Sequence, residues 1–361
     1  MITPKEVHFV VFVHGLWGNT GHLKYFVEEF KKRHGENLNS KCNESDYTYD
    51  GIDVCGDRLV EEEEKIIQEN NNFKITKFSI IGYSLGGLIA RYAIGILYFQ
   101  GFFNNIEPLH FATFATPHLG IRREDDGIWT KVFNWSSSIL LSKTGRVYAN
   151  TTNDRTVPYW TASISIINPY SDFKQLKIIE NENFQSLIGS LSKKPQKNSA
   201  IKKLIGFIKR FFLFTVVVPI LFPFWFVIVF STVTIQGIKS RRREEAIETA
   251  MNIKNLLPQS QPPSPTLLVS DIESNNSNST NSDDNNEFNS MINSSTPLQS
   301  TQVTLSKAQS DSCRYLNKLE WEKYSVYLDV MNAHAAIIVR NKLQGAAGKE
   351  VLKHFIEVFD T

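Results

Sequence analysis

The amino-acid sequence predicts an α/β fold in which a mostly parallel sheet is flanked by helices. Strand-like and helix-like segments alternate from the N-terminus to about residue 180, which is the pattern of an α/β sheet. One apolar run leads directly into a helical pattern through the glycine-rich stretch GYSLGG (82–87). The chain of 361 residues has room for one large domain with insertions or for two smaller domains.

Four strands and three helices are predicted in this region. Each strand is a short apolar run, and each helix places its apolar residues at helical spacing. The strands span Val7–Val13, Lys77–Ile81, His110–Ala115 and Arg146–Ala149, and the helices span Gly21–Lys32, Asp57–Glu69 and Leu85–Phe99. The second helix contains the acidic run EEEEKII (61–67), which we interpret as a solvated turn at the helix N-terminus.

Ser84 is the centre of a G-x-S-x-G motif at the predicted junction between strand and helix. Glycines beside the serine avoid the collisions that side chains make in such a sharp turn. The pattern is typical of a nucleophile elbow, which holds a serine hydroxyl above the sheet. The backbone amide of Leu85, at the helix N-terminus, can then bind an oxyanion. A chance motif on a loop is the alternative, and the flanking strand and helix favour the elbow.

A serine hydroxyl is a weak nucleophile, so it needs a base, and the base needs an orienting carboxylate. Asp154 follows the predicted strand Arg146–Ala149, and Val157-Pro158 stiffens its loop. An Asx-turn is the structural alternative for this aspartate. Three other carboxylates are weaker candidates, because they lie in a charged stretch or follow no clear strand: Asp125, Asp126 and Asp172.

Two histidines lie late in the chain on segments with a clear pattern. His334 follows a strand-to-loop transition and precedes the apolar run AAII, which favours it as the base. His354 lies beside Phe355 in an amphipathic helix, where we expect a packed or surface residue. His118 precedes Asp154, although the acid comes before the histidine in this type of site. We therefore expect His118 to line or brace the pocket.

The first predicted strand ends in the stretch VFVHGLWGN (11–19). The amide of Leu16 can supply the second donor to an oxyanion, beside that of Leu85. Apolar Leu16 and Trp17 are expected to begin an acyl-binding wall. We assign five residues to the substrate pocket: His14, Gly15, Trp17, Tyr83 and His118.

The segment Phe211–Ile235 contains no charged residue, has basic flanks, and matches a transmembrane helix in length. Pro219 and Pro223 lie near its middle and favour a bend. A single crossing would separate Ser84 from His334, because they lie on opposite sides of this segment in the chain. We therefore expect a shallow hairpin or an interfacial helix. It would anchor the chain to the cytosolic face of a membrane, on a lipid droplet or the endoplasmic reticulum.

These observations divide the chain into four segments. The third is rich in Ser, Asn, Gln and Pro and is predicted to be disordered. The segments are a catalytic core with the nucleophile and the acid (1–200), a hydrophobic membrane-associating segment (201–245), a linker (246–310) and the C-terminal part of the core with the histidine (311–361).

Composition argues against several classes of function. A net charge of +2 gives no reason to expect nucleic acid as a partner. The three cysteines are odd in number and form no C-x-x-C motif, which argues against a disulfide framework or a zinc site. The N-terminus has no basic region before its apolar stretch, so we expect no signal peptide and a cytosolic catalytic part. The predicted chemistry needs no cofactor.

Five stretches together resemble the "putative serine esterase" family of fungi and plants: HGLWGN, GYSLGG, TPHLG, NDRTVPYWTA and MNAHAAIIV. The resemblance covers about residues 5–160 and 315–358. It implies the α/β-hydrolase fold, and lipid-droplet phospholipases and monoacylglycerol-lipase-like enzymes are among the members. It also implies Ser84 as nucleophile, Asp154 as acid and His334 as base. Relatives carry several tens more residues at the point that corresponds to Gly145-Arg146.

The sequence thus predicts a serine ester hydrolase, similar to a lipase or phospholipase, that cleaves acyl lipids at a membrane or lipid-droplet surface. Two alternatives stay open. One is an acyltransferase on the same scaffold, in which an alcohol replaces water. The other is a catalytically inactive membrane adaptor, which a fluorophosphonate probe would fail to label.

Overall fold

A computed structural model of the chain contains two compact units. The first comprises residues 1–198 and 294–361, and the second comprises residues 199–293. The described residues are 5–34, 38–39, 41–69, 73–120, 145–171, 173, 176–193, 231, 234–235, 237–243, 245–246, 301–341 and 346–359. Those of the second unit are helical.

The predicted membrane segment, Phe211–Ile235, lies outside the described residues except for a few positions near its end. The predicted linker also lies outside them from residue 247 to residue 300. No helix within the described ranges is long and apolar enough to cross a membrane. The anchor and the linker therefore stay predictions.

A parallel six-stranded sheet forms the centre of the first unit. The strands of this unit are β1 (Lys5–Val13), β2 (Leu38–Asn39), β3 (Phe73–Tyr83), β4 (Glu107–Phe114), β5 (Gly145–Asn150), β6 (Ile167–Asn168), β7 (Leu176–Glu180), β8 (Ile188–Lys193), β9 (Thr301–Gln302) and β10 (Trp321–Val326). The order in the main sheet is β10-β5-β4-β3-β1-β2, and all its pairings are parallel. The carboxyl ends of its strands therefore meet at one edge, where ligands bind in open α/β sheets.

Helices connect and cover these strands. They are α1 (Lys24–His34), α2 (Ile52–Glu69), α3 (Leu85–Phe99), α4 (Tyr159–Ala162), α5 (Lys307–Leu316), α6 (Ala333–Ala336) and α7 (Ala346–Val358). A 3-10 turn, Thr20–Leu23, precedes α1. The predicted α/β class is confirmed, with the four predicted strands present as β1, β3, β4 and β5.

The sheet separates two hydrophobic cores. Successive residues of a strand point to opposite faces, so neighbouring Val11 and Phe12 belong to different cores. Phe12 packs on the side of α1 and α7, where its ring lies 5.1 Å from that of Phe26, which itself lies 5.5 Å from Phe355. Val11 packs with α2, α3 and α5 on the other side. Packing on both faces of the sheet restrains the positions of the strand ends.

The second helix differs from its prediction. α2 begins at Ile52 rather than Asp57, so the acidic run lies in the middle of the helix. Glu63 is 0% exposed and shares the buried face with Leu59 and Val60. Burial raises its pKa well above the ordinary value, and its carboxylate oxygens have no hydrogen-bond partner within the described residues. The interpretation of the run as a solvated first turn is therefore wrong.

The predicted linker, 246–310, also extends too far. Within it, Thr301 of β9 pairs with Asn168 of β6. Ser306 then caps α5, because its side chain accepts a hydrogen bond from the backbone amide of Gln309. The side chain of Gln309 in turn accepts from the backbone amide of Ser306. These residues belong to the first unit, and their polar composition reflects helix capping, which favours such residues.

Candidate active site

Ser84 connects β3 to α3 in a strained conformation. Its φ of 54° and ψ of −126° lie outside the regions that non-glycine residues ordinarily occupy. The neighbouring glycines allow a close approach of the backbone. A Cβ on Gly82 would lie 2.3 Å from the Cα of Gly87, and one on Gly86 would lie 2.3 Å from the carbonyl oxygen of Val13. The turn has the strand–turn–helix geometry of a nucleophile elbow.

The structure brings together the three side chains that the sequence predicts as a catalytic set. The Nε2 atom of His334 lies 3.0 Å from the Oγ atom of Ser84, and its Nδ1 atom lies 3.0 Å from Oδ2 of Asp154. They follow β3, β5 and β10, whose carboxyl ends share one edge of the sheet. The imidazole side chain is 12% exposed and the carboxylate 2% exposed, so water has little access to their contact.

Hydrogen bonds hold Asp154 at both carboxylate oxygens. Oδ1 accepts from the amides of Thr156 and Val157 at 2.9 and 2.8 Å, and Oδ2 accepts from the Asn150 side chain at 2.9 Å. Burial by itself raises the pKa of Asp154, but the hydrogen bonds and charge of its partners, His334 first, outweigh burial and leave the pKa lowered. The hydrogen bond from the Thr156 amide closes an Asx-turn, which was the structural alternative for this aspartate. The Asx-turn and the contact with His334 are therefore both present.

The ionised carboxylate determines which nitrogen of His334 carries the proton. Nδ1–H donates to Asp154, so the lone pair of Nε2 faces the Ser84 hydroxyl and can accept its proton. A general base must lie within hydrogen-bond reach of the proton that it removes. The three side chains therefore have the geometry for activation of the serine.

The turn after β1 lies against the elbow. A Cβ on Gly15 would lie 2.7 Å from that of Ser84, so only a glycine permits this approach. The next residues, Leu16 and Trp17, are 43% and 51% exposed. Within the described residues, the amides of Leu16 and Leu85 donate no hydrogen bond to the protein. Both amides are therefore available to an oxyanion at Ser84.

Comparison with known proteins finds a family match over part of the chain. Residues 3–147 match the family model described as "Putative serine esterase (DUF676)". Over these residues the chain is similar to that serine-esterase family. The match confirms the predicted family, and it includes Ser84 and the turn with Leu16 but ends before Asp154 and His334.

Curated fungal proteins are similar to this chain over about half of its length. "Putative lipase ROG1" of Saccharomyces cerevisiae is 31% identical over 235 residues, covering 53% of this chain and 33% of its own. "Putative lipase C4A8.10" of Schizosaccharomyces pombe is 26% identical over 211 residues, covering 45% and 26%. The chain thus spans about a third or less of the length of these relatives.

Solved structures align with part of the chain at low TM-scores. The putative cell surface hydrolase from Lactobacillus plantarum WCFS1 is 16% identical, with a TM-score of 0.32, covering 45% of this chain and 75% of its own. Lipase B of Aspergillus fumigatus is 12% identical, with a TM-score of 0.31, covering 44% and 40%.

Tyr83 contacts His334 through both its hydroxyl and its ring. Its hydroxyl donates to the backbone carbonyl of His334 at 2.9 Å, and the two ring centroids are 5.1 Å apart. Burial, and then the charge of Asp154, raise the pKa of the Tyr83 hydroxyl, which keeps it a neutral donor. Asn332 caps α6 through the amide of Ala335, which also fixes the loop. The sequence assigned Tyr83 to the pocket and gave no sign of this contact.

The two histidines assigned to the pocket, His14 and His118, are both buried. His14 is 1% exposed, and its Nδ1–H donates to the Gly15 carbonyl at 3.2 Å. Burial lowers its pKa, so it is neutral. His118 is 2% exposed, accepts from Arg91 at 3.3 Å and donates to Thr113 at 2.9 Å. It therefore braces α3 against β4.

Among the competing candidates, the structure describes His354 but none of the aspartates. Asp125, Asp126 and Asp172 lie outside the described residues. His354 is buried in α7, where Nδ1 lies 2.9 Å from the Tyr148 hydroxyl, and burial lowers its pKa. No group of three metal-ligating side chains within the described residues could hold a metal ion.

Proposed function

We propose that the chain is a serine ester hydrolase that cleaves acyl esters of lipids. The observation that carries the proposal is the double contact of His334, at 3.0 Å to Ser84 and 3.0 Å to Asp154. These distances connect a nucleophile, a base and an orienting carboxylate in the order that serine hydrolysis requires.

In the proposed first step, Ser84 Oγ attacks the ester carbonyl and its proton passes to Nε2 of His334. The negative charge of the tetrahedral intermediate lies on the former carbonyl oxygen, and the amides of Leu16 and Leu85 donate to it. The imidazolium is stabilised by Asp154. It then gives its proton to the leaving alkoxide as the carbon–oxygen bond breaks, which leaves an acyl ester on Ser84.

Water completes the proposed cycle. His334 takes a proton from a water molecule, whose oxygen attacks the acyl ester on Ser84. The second tetrahedral intermediate uses the same two amides. Its collapse releases the carboxylic acid, and Ser84 recovers its proton from His334. The protein's own residues carry each of these proton transfers, so the proposal needs no cofactor.

A lipid substrate is supported by three features. The fungal relatives are named as putative lipases. Leu16 and Trp17 expose apolar side chains beside the elbow, and the uncharged segment Phe211–Ile235 suits a membrane or lipid-droplet surface. The proposed location is the cytosolic face of that surface, because both ends of the segment must lie on the side of the esterase core.

Two measurements test the proposal. Purified wild type should release fatty acid from mixed phospholipid and acylglycerol vesicles, while Ser84→Ala should release none above background. Equal release by both proteins would refute the assigned nucleophile, and transfer of the acyl chain to added alcohol in preference to water would favour an acyltransferase. Tags at residues 200 and 260 should both be cleaved by protease outside sealed microsomes; protection of one would refute the cytosolic anchor.

A further inference from the structure

The turn that carries the Leu16 amide has an unusual backbone. Residues 15–18 form a tight turn in which the Gly18 amide donates to the Gly15 carbonyl at 2.9 Å. Trp17, at the third position, has a φ of 51°, a left-handed conformation that favours glycine. Because tryptophan carries a Cβ, this turn costs free energy unless other contacts stabilise it.

A second loop supplies those contacts. The Trp17 amide donates to Oγ1 of Thr48 at 3.0 Å, and that hydroxyl donates onward to the Ser45 carbonyl at 2.8 Å. The Ser45 amide donates back to the Gly18 carbonyl at 2.8 Å. Farther along, the Thr20 amide donates to the Glu44 carboxylate at 2.8 Å. Residues 44–48 therefore hold the turn from its outer side; we name them the clamp loop.

The clamp loop is itself fixed to α2. The residues on either side of it contact this helix: Asp50 accepts from Arg58 at 2.7 Å, and the Asn43 side chain donates to the Cys55 carbonyl at 2.8 Å. Thr48 is 4% exposed, so water cannot readily replace its hydroxyl as acceptor. The hydrogen bond between Thr48 and Trp17 therefore connects the turn at residues 15–18 to a loop that α2 holds in place.

We propose that Thr48 is a positioning residue for the oxyanion site: by accepting the Trp17 amide, it holds the strained turn so that the Leu16 amide faces Ser84. The inference rests on the proposed esterase function. Without the Thr48 acceptor, the Trp17 amide loses the hydrogen bond that it makes within the described residues, and the turn can relax. The Leu16 amide then spends less time aimed at the oxyanion.

If Thr48 has this role, removing its hydroxyl should weaken stabilisation of the transition state and leave substrate binding unchanged. The ester carbonyl acquires its full negative charge only in the tetrahedral intermediate, so a misplaced donor lowers kcat and leaves KM nearly unchanged. Complete loss of one oxyanion donor costs about 100- to 1000-fold in kcat. Because Thr48 acts through the turn, we expect Thr48→Val to lower kcat about tenfold or more.

Thr48→Val and Thr48→Ser form the matched pair, since valine keeps the shape and serine keeps the acceptor. Thr161→Val is the control for lost stability, because the Thr161 hydroxyl likewise accepts from a buried backbone amide, that of Leu119, at 2.9 Å. The readouts are kcat and KM on a short p-nitrophenyl ester and the Ki of an alkylboronic acid. The boron binds Ser84 Oγ as a tetrahedral anion whose oxygen occupies the oxyanion site.

The expected result is a rise of about tenfold or more in Ki for Thr48→Val, with near-wild-type values for Thr48→Ser and Thr161→Val. Equal kcat and Ki in Thr48→Val and wild type would overturn the inference, as would an equal loss in Thr161→Val. Titration of active sites with a fluorophosphonate corrects for misfolded protein; if Thr48→Val does not fold, Thr48→Ala replaces it. Failure of the esterase function itself is distinguishable, because wild type would then neither react with the fluorophosphonate nor bind the boronic acid.

Discussion

Asp154→Asn provides a demanding test of the proposed site, because it changes one atom and leaves the loop in place. The asparagine oxygen can keep the two bonds from the Thr156 and Val157 amides, at 2.9 and 2.8 Å in the wild type. Its NH2 group must then face Nδ1 of His334. Two donors cannot share a hydrogen bond, so His334 shifts to the tautomer that accepts at Nδ1 and carries its proton on Nε2.

That tautomer cannot accept the Ser84 proton. An equivalent substitution in a serine triad lowers kcat about 10⁴-fold, which corresponds to about 5.5 kcal/mol in the activation free energy. Stability should change far less, by about 1 to 3 kcal/mol for the lost charged hydrogen bond. The side-chain oxygen of Asn150, Oδ1, has no hydrogen-bond partner within the described residues. It can turn to accept from the side-chain NH2 group of the introduced asparagine.

The assay compares kcat on p-nitrophenyl butyrate with thermal unfolding by circular dichroism. Asp311→Asn, the same chemical change on the surface helix α5, serves as the control and should match wild type in both. A value of kcat for Asp154→Asn within about 30-fold of wild type, with a folded protein, would refute the tautomer argument. So would a parallel loss of kcat and stability.

Two further predictions concern the buried helix and the linker. Glu63→Gln should gain stability relative to wild type as pH rises from about 5 to about 8, because the raised pKa means that the folded state, not the unfolded chain, keeps the Glu63 proton. Urea unfolding at both pH values measures the difference in stability, and Glu61→Gln, at an exposed position of the same helix, is the control. A gain in stability that is independent of pH would contradict the prediction. Deletion of 260–294 should preserve esterase activity, since loop-closure entropy varies slowly with length. Deletion of 260–304 removes β9 and should lower stability; equal urea midpoints for the two deletions would contradict the role of β9.

Much of the fold and the candidate site could be predicted because the signals are local. Apolar runs mark β1, β3, β4 and β5, and the G-x-S-x-G motif marks the turn at Ser84. The strand before Asp154 and the strand-to-loop transition before His334 then favour these two residues, and the chain order of acid and histidine disfavours His118. Each of these inferences depends on a few neighbouring residues and on the way that parallel strands align their ends.

The features that the sequence did not predict depend on distant parts of the chain. The hydroxyl of Tyr83 contacts a carbonyl 251 positions away, and Thr48 contacts a turn 31 positions away. No periodic pattern in the sequence indicates either contact. The prediction for Glu63 is wrong because acidic residues are ordinarily exposed, whereas packing against α3 buries this face of α2. The predicted linker includes the polar start of α5, although the capping box of Ser306 and Gln309 is a sequence signal for a helix N-terminus.

The central claim is that Ser84, activated by His334, is the nucleophile of an esterase. The most direct measurement is peptide mass spectrometry after reaction with a fluorophosphonate, with the labelling rate followed over time. The account predicts one phosphonyl adduct, on the peptide that contains Ser84. It also predicts labelling that is slower by about 1000-fold or more in folded His334→Ala. An adduct elsewhere, no adduct in folded wild type, or equal rates in wild type and His334→Ala would contradict it.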